Sequence, residues 1–205
     1  MKLGIQAVLW IASIFFGYKI YDSISGPINF NQIKIKRYSK VINVMKDIRT
    51  AQIAYKDVKG VYSNNFDSLL NFVNHDSIAL VKAIGEVPDS LTEQEALNAG
   101  IIRRDSIFVL VKDNVFNLEY LKTRDKRFPF DLEKLQIVPF SENKNFSITS
   151  GDIEKGKVIV QVFEVSTTYQ TFLKGIDANN KGVELSNVIK VGSMTEASIN
   201  GNWGE

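Results

Sequence analysis

Several groups of residues in this sequence have types and spacings that could do chemistry, and each also has an ordinary structural reading. Gly151-Asp152-Ile153-Glu154-Lys155-Gly156-Lys157 has the spacing of a loop that cradles phosphate with backbone N–H groups and a lysine, followed by a Ser or Thr that holds Mg²⁺. Val158 stands at that last position, and KVIVQVFEV after it has strand character, whereas such loops lead into a helix whose N-terminus faces the phosphates. The stretch reads as a charged hairpin turn. Asp177, Asn179, Gly182 and Glu184 match the opening of a calcium loop, but Lys181 takes the third ligand position and Val188 that of the bidentate glutamate. This stretch reads as a turn as well.

His75 is the single histidine, so a Ser–His triad, an imidazole base or a histidine metal cluster would have to depend on it. It lies between Asn74 and Asp76 in an expected loop. The carboxylate pairs Glu93/Glu95 and Asp125/Asp131 are of a kind used in acid–base catalysis, but neighbouring carboxylates are also common on solvated surfaces. Arg103, Arg104 and Asp105, and then Arg124, Lys126 and Arg127 beside Phe128 and Phe130, interleave basic and aromatic residues as single-strand binders do. A solvated loop with inward phenylalanines is the simpler reading, and a net charge of +2 gives no concentrated basic face for nucleic acid. Cysteine is absent, which removes disulfides, thiolate metal sites and cysteine nucleophiles. The expectation is a non-enzymatic protein with no cofactor and no nucleic-acid partner.

The elements that would position these residues begin with an apolar run. Leu3, Ile5, Val8, Leu9, Trp10, Ile11, Ile14, Phe15 and Phe16 lie in a stretch with few polar residues, and about nineteen residues at 1.5 Å each give roughly 28 Å, enough for a hydrocarbon core of about 30 Å. Residues 1–25 are therefore read as a transmembrane anchor in contact with lipid, a cleaved signal peptide and a buried core helix being the rivals. Gly26-Pro27 is expected to stop that helix, since proline lacks an N–H and clashes with the preceding turn. A second helix, capped by Asn29 or Asn31, then fills residues 26–60 as a stalk. On it Ile35, Tyr38, Val41, Ile42, Met45, Ile48, Gln52 and Tyr55 form an apolar face at steps of three and four, with Asp47 among the outward residues. The upper half of that face is expected to meet the domain core and the lower half, near Ile35, Tyr38 and Ile42, to meet a partner helix or a second copy.

Residues 61–205 are expected to form an α+β domain, mainly antiparallel, with short helices. Gly60 closes the stalk and Asn65 caps a helix that turns Phe66, Leu69, Leu70 and Phe72 inwards. SIALVKAIG, SIFVLVK, NFSIT and KVIVQVFEVST read as strands, and Ser90-Leu91-Thr92-Glu93 as a capping box for a short helix closed by Gly100. Residues 115–140 read as loops around short strands, YQTFLKGI as a turn or short helix, GVELSNVIKVG as two short strands, and the end as a polar tail.

At AQIAYKDVKGVYSNNFDSLLNFV the chain resembles pilins and type II secretion pseudopilins, in which a membrane-rooted helix runs into a tyrosine-bearing segment, a glycine turn and a short helix. RYSKVINVMKDIRTAQIAY, taken with the GSM and GNW of the tail, also looks like a family of membrane-anchored Bacteroidota envelope proteins. The first resemblance implies a structural subunit of a secretion, motility or filament assembly, bound to itself or to envelope proteins; the second implies an address in the bacterial inner membrane and leaves the function open. Lys34, Lys36, Arg37 and Lys40 after the anchor favour a cytoplasmic domain, while the short segment ahead of the anchor favours a periplasmic or extracellular one, which is the orientation expected. An extracytoplasmic ligand-binding or sensing domain and a membrane-tethered hydrolase are the alternatives.

Overall fold

The computed structural model describes residues 2–88, 90–176, 178 and 182–204. Its axis is a single helix, α1 (Lys2–Lys59), of 58 residues, about 87 Å long at 1.5 Å per residue. The expected break at Gly26-Pro27 is absent, and with it the separate capping role of Asn29 or Asn31: Pro27 lies inside the helix. A proline removes one backbone bond and leaves the carbonyl four residues earlier, that of Ser23, without its donor. Helix continues on both sides, and Ser23 and Pro27 are both exposed, so water can reach the freed carbonyl. Pro27→Ala should restore that bond and relieve roughly 3 kcal/mol, so amide exchange over residues 24–31 slows. Unchanged exchange would show that the helix is unstrained there.

Gly60 ends α1, its N–H donating to the Lys56 carbonyl at 2.7 Å. Gln52 then pins the turn by bonding both the carbonyl and the N–H of Ser63. Asn65 caps α2 (Phe66–His75) through the Ser68 N–H, and Phe66, Leu69, Phe72 and Val73 are buried. His75 is thus the last residue of a helix rather than part of a loop.

Two antiparallel sheets follow. The first has two strands, β1 (Ser77–Ile84) and β2 (Arg103–Leu110), with α3 (Glu93–Asn98) at their far end. The capping box is real but two residues later than its expected place: Thr92 is the cap and Glu95 reaches back to it. β2 begins earlier than SIFVLVK and ends at Leu110, and Val111 opens a short helix, α4 (Val111–Val115), because its side chain turns into the core. Residues 115–140 contain α5 (Leu118–Thr123) and, among the described residues, no strand, only an isolated bridge between Ile137 and Asn145. The second sheet is ordered β3 (Ser147–Lys155), β4 (Val158–Thr168), β5 (Val188–Gly192), with α6 (Tyr169–Phe172) after β4. Gly156 and Lys157, both at positive φ, make the two-residue turn between β3 and β4, the geometry whose twist matches that of the flanking strands. GVELSNVIKVG yields one strand instead of two. Gly192 is needed where it stands: at φ +77 a Cβ would lie 2.2 Å from the Phe163 carbonyl oxygen. The tail is not free. Asn202 donates its N–H to the Lys190 carbonyl, and Trp203 packs on the core.

The core gathers Val41, Met45 and Ile48 of α1, Phe72 of α2, Phe163 of β4 and Phe172 of α6, all at or below 1% exposure. Each such side chain contributes on the order of 1.5–3 kcal/mol relative to being left in water.

Candidate functional site

The residues that could do chemistry do not converge. Glu93 pairs with Arg104 on β2, Glu95 serves as the cap partner of Thr92, Asp125 holds Arg127, and Asp131 holds Lys134. His75 is exposed, its Nδ1 3.3 Å from the Asn71 carbonyl oxygen. The phosphate-loop look-alike is the β3–β4 hairpin, so no helix N-terminus faces it. Of the calcium-loop look-alike, Asp177, Asn179 and Lys181 lie outside the described residues. Among the described residues no three His, Cys, Asp or Glu side chains come together as a metal site would require.

What does converge is a buried polar network that sequence reasoning missed. Asp47, placed with the outward residues of the stalk by its spacing, is 2% exposed and paired with Arg124, 8% exposed, at 2.7 Å. Arg124 grips both carboxylate oxygens through Nε and Nη2, while the Tyr120 hydroxyl donates to the same carboxylate at 2.8 Å. Burial pushes the Asp47 carboxyl above its ordinary range, against the pull of Arg124 and Tyr120. Arg124 therefore does not belong to a solvated basic loop; it fixes residues 118–130 to α1. The one sequence signal is that Tyr120 and Arg124 stand four apart, a spacing that aims two side chains the same way.

The interaction face of α1 divides differently from expectation. Val41, Met45 and Ile48 are core residues with no surface to offer a partner. Tyr38 packs against Tyr169 and Phe172, burial pushing its hydroxyl up to about 12, and Ile42 is half-buried on the same cluster. Only Ile35, 59% exposed, remains open. Phe30 is 4% exposed, and Arg37 donates to the carbonyls of Phe172 and Lys174 at 2.9 Å each. A lone helix cannot cover a phenylalanine, so the folded domain reaches down to Phe30, within roughly 9 Å of Ile24 along the helix. No free stalk of any length separates them.

Below that level α1 is bare. Leu3, Ile5, Val8, Leu9, Trp10, Ile11, Ile14, Phe15 and Phe16 are all exposed, and the helix is long and apolar enough to cross a membrane. Because the helix is unbroken, one exposed line runs through Ile14, Tyr21, Ile28 and Ile35 at intervals of seven, with Gly17 and Ile24 three residues after the first two. Apolar residues at a and d positions of a heptad are the pattern of helices that pack in parallel. Phe30 and Arg37, which face the domain, lie about half a turn round the helix from Ile28 and Ile35; the line is open as far as Ile35, and its next positions, Tyr38 and Ile42, pack on the domain.

A second exposed apolar surface is the arm made by β1, α3 and β2. Its base rests on α2 and α4, and at its tip Ala96 and Ile102 are buried. Val81 and Phe108 lie on one face, Phe108 at 73% exposure, and Leu80 and Ile107 on the other. Phe108→Ser should change unfolding free energy by no more than about 0.5 kcal/mol, measured by denaturant titration. A loss above 2 kcal/mol would show that the arm folds against something.

No protein-family model, no curated protein and no solved structure matches the chain.

Proposed function

We propose that this chain is a single-pass, non-enzymatic structural subunit of a bacterial envelope assembly, of the pilin-like kind, that self-associates through the exposed face of α1. The observation that carries the reading is the unbroken line Ile14, Tyr21, Ile28 and Ile35. Its lower part lies within the membrane-spanning length, and its upper part, Ile28 and Ile35, lies outside it and is exposed. Membrane insertion holds all copies in one plane and one orientation, so parallel packing needs no further alignment. Gly17 lets two backbones approach within lipid, and Ile28 and Ile35 bury apolar surface outside it.

The domain lies on the periplasmic side of the inner membrane in this reading. Its support is that Arg37, in the basic cluster beyond the anchor, is engaged by the domain, donating to the carbonyls of Phe172 and Lys174. Charges committed to a folded domain weigh less in the positive-inside balance than those in a short free loop. Lys36→Cys should therefore react with a membrane-impermeant maleimide once the outer membrane is opened. Labelling only after inner-membrane lysis would put the domain in the cytoplasm.

Self-association is tested by counting photobleaching steps of the labelled full chain in liposomes at low protein density. More than one step per spot is expected; single steps at every density would overturn the reading.

A further inference from the structure

We infer that the cavity between α1 and residues 124–143 is a binding site for a small organic carboxylate with an apolar body, the carboxylate held by Lys40. The cavity has a volume of about 400 Å³, within the range of small-molecule sites. Lys40, Val44 and Asp47 form one wall, because steps of four and three put them on one stripe of α1. Leu135, Val138 and Phe140 supply the apolar surface opposite.

The charges lining the cavity decide the class of ligand. Asp47 is paired with Arg124, Asp131 with Lys134, and Glu142 with Lys174. Lys40 has no ion pair among the described residues; its ammonium lies 5.4 Å from the centre of the Phe140 ring. The cavity thus has one uncommitted positive charge. Arg124 is committed: its Nε and Nη2 bond Asp47 and its Nη1 bonds the Phe128 carbonyl.

The rim points the same way. Phe140, Glu142 and Asn143 have φ values of 65°, 53° and 66°, in the left-handed region that costs a non-glycine residue free energy and is concentrated at ligand clamps. A lipid headgroup is not the source of the anion, since Lys40 lies about 24 Å beyond Ile24 along the helix, past the headgroup layer. Inorganic phosphate would leave the apolar wall unused. The inference does not depend on self-association, because every group in it belongs to one copy.

The test uses the full chain in nanodiscs and the fluorine NMR line width of 4-(4-fluorophenyl)butyrate, with 4-(4-fluorophenyl)butyramide as the neutral counterpart and empty nanodiscs as the blank. The acid should broaden beyond the blank and bind at least tenfold more tightly than the amide. Lys40→Met should weaken the acid tenfold or more without affecting the amide, and Lys40→Arg should restore it. Lys40 makes no polar bond within the fold, so the methionine variant is expected to fold normally, checked by its unfolding curve. No broadening beyond the blank, equal binding of acid and amide, or an unchanged affinity in a folded Lys40→Met variant would each overturn the inference.

Discussion

Arg124→Met is expected to cost about 3–5 kcal/mol of stability, because it leaves the Asp47 carboxylate buried without its counter-charge. Asp47 is 2% exposed and loses both the Nε and Nη2 bonds at once, keeping only the Tyr120 hydroxyl. For a chain of this size that corresponds to a fall in Tm of roughly 6–20 °C. Replacing both partners, Asp47→Leu with Arg124→Met, should recover most of the loss, since a buried pair exchanged for apolar residues of similar volume is often neutral or stabilising. Recovery will be incomplete: the Phe128 carbonyl loses its bond from Nη1, although Tyr120 still accepts from Thr50. Urea unfolding of the three proteins in detergent, followed by tryptophan fluorescence, separates these contributions. A single variant within 1 kcal/mol of wild type would mean that the network does not clamp residues 118–130 to α1.

Ile28→Lys with Ile35→Lys is expected to abolish self-association. The two isoleucines are 51% and 59% exposed in one copy, so pairing would bury apolar surface worth on the order of 3–6 kcal/mol, or roughly two to four decades in the association constant. Lysine removes that burial and sets like charges opposite one another. Near a headgroup layer it can also extend its ammonium to water, so insertion of the anchor is preserved. Single photobleaching steps in liposomes, with normal membrane insertion, are the expected outcome. Unchanged oligomers would assign association to the arm or the domain.

What the residues disclosed in advance was local. The apolar run from Leu3, the Asn65 cap of α2, the strand character of β4 and the Gly156-Lys157 turn each follow from a few neighbouring residues, and each is found. The failures share a cause as well. Pro27 carries a strong local stop signal that the rest of α1 overrides, helix continuing on both sides of it. Asp47 reads as a surface charge because its partner lies 77 positions later in the chain. Val111 continues the apolar pattern of β2 but turns into the core as the first residue of α4. For the candidate site, the face of α1 was visible as a pattern, but its division was not. Periodicity marks a stripe from Ile35 to Ile48 and is silent on where the domain covers it, which is set by Arg37, Tyr38 and Phe172 in contact.

The most direct test of a parallel, self-associating helix is oxidative cross-linking of single cysteines in native membranes, which the absence of cysteine from the chain makes clean. Ile28→Cys and Ile35→Cys should form disulfide-linked dimers, while Ile33→Cys and Lys36→Cys, about a quarter turn or more away, should not. Equal cross-linking at all four positions, or none at Ile28 and Ile35, would contradict it.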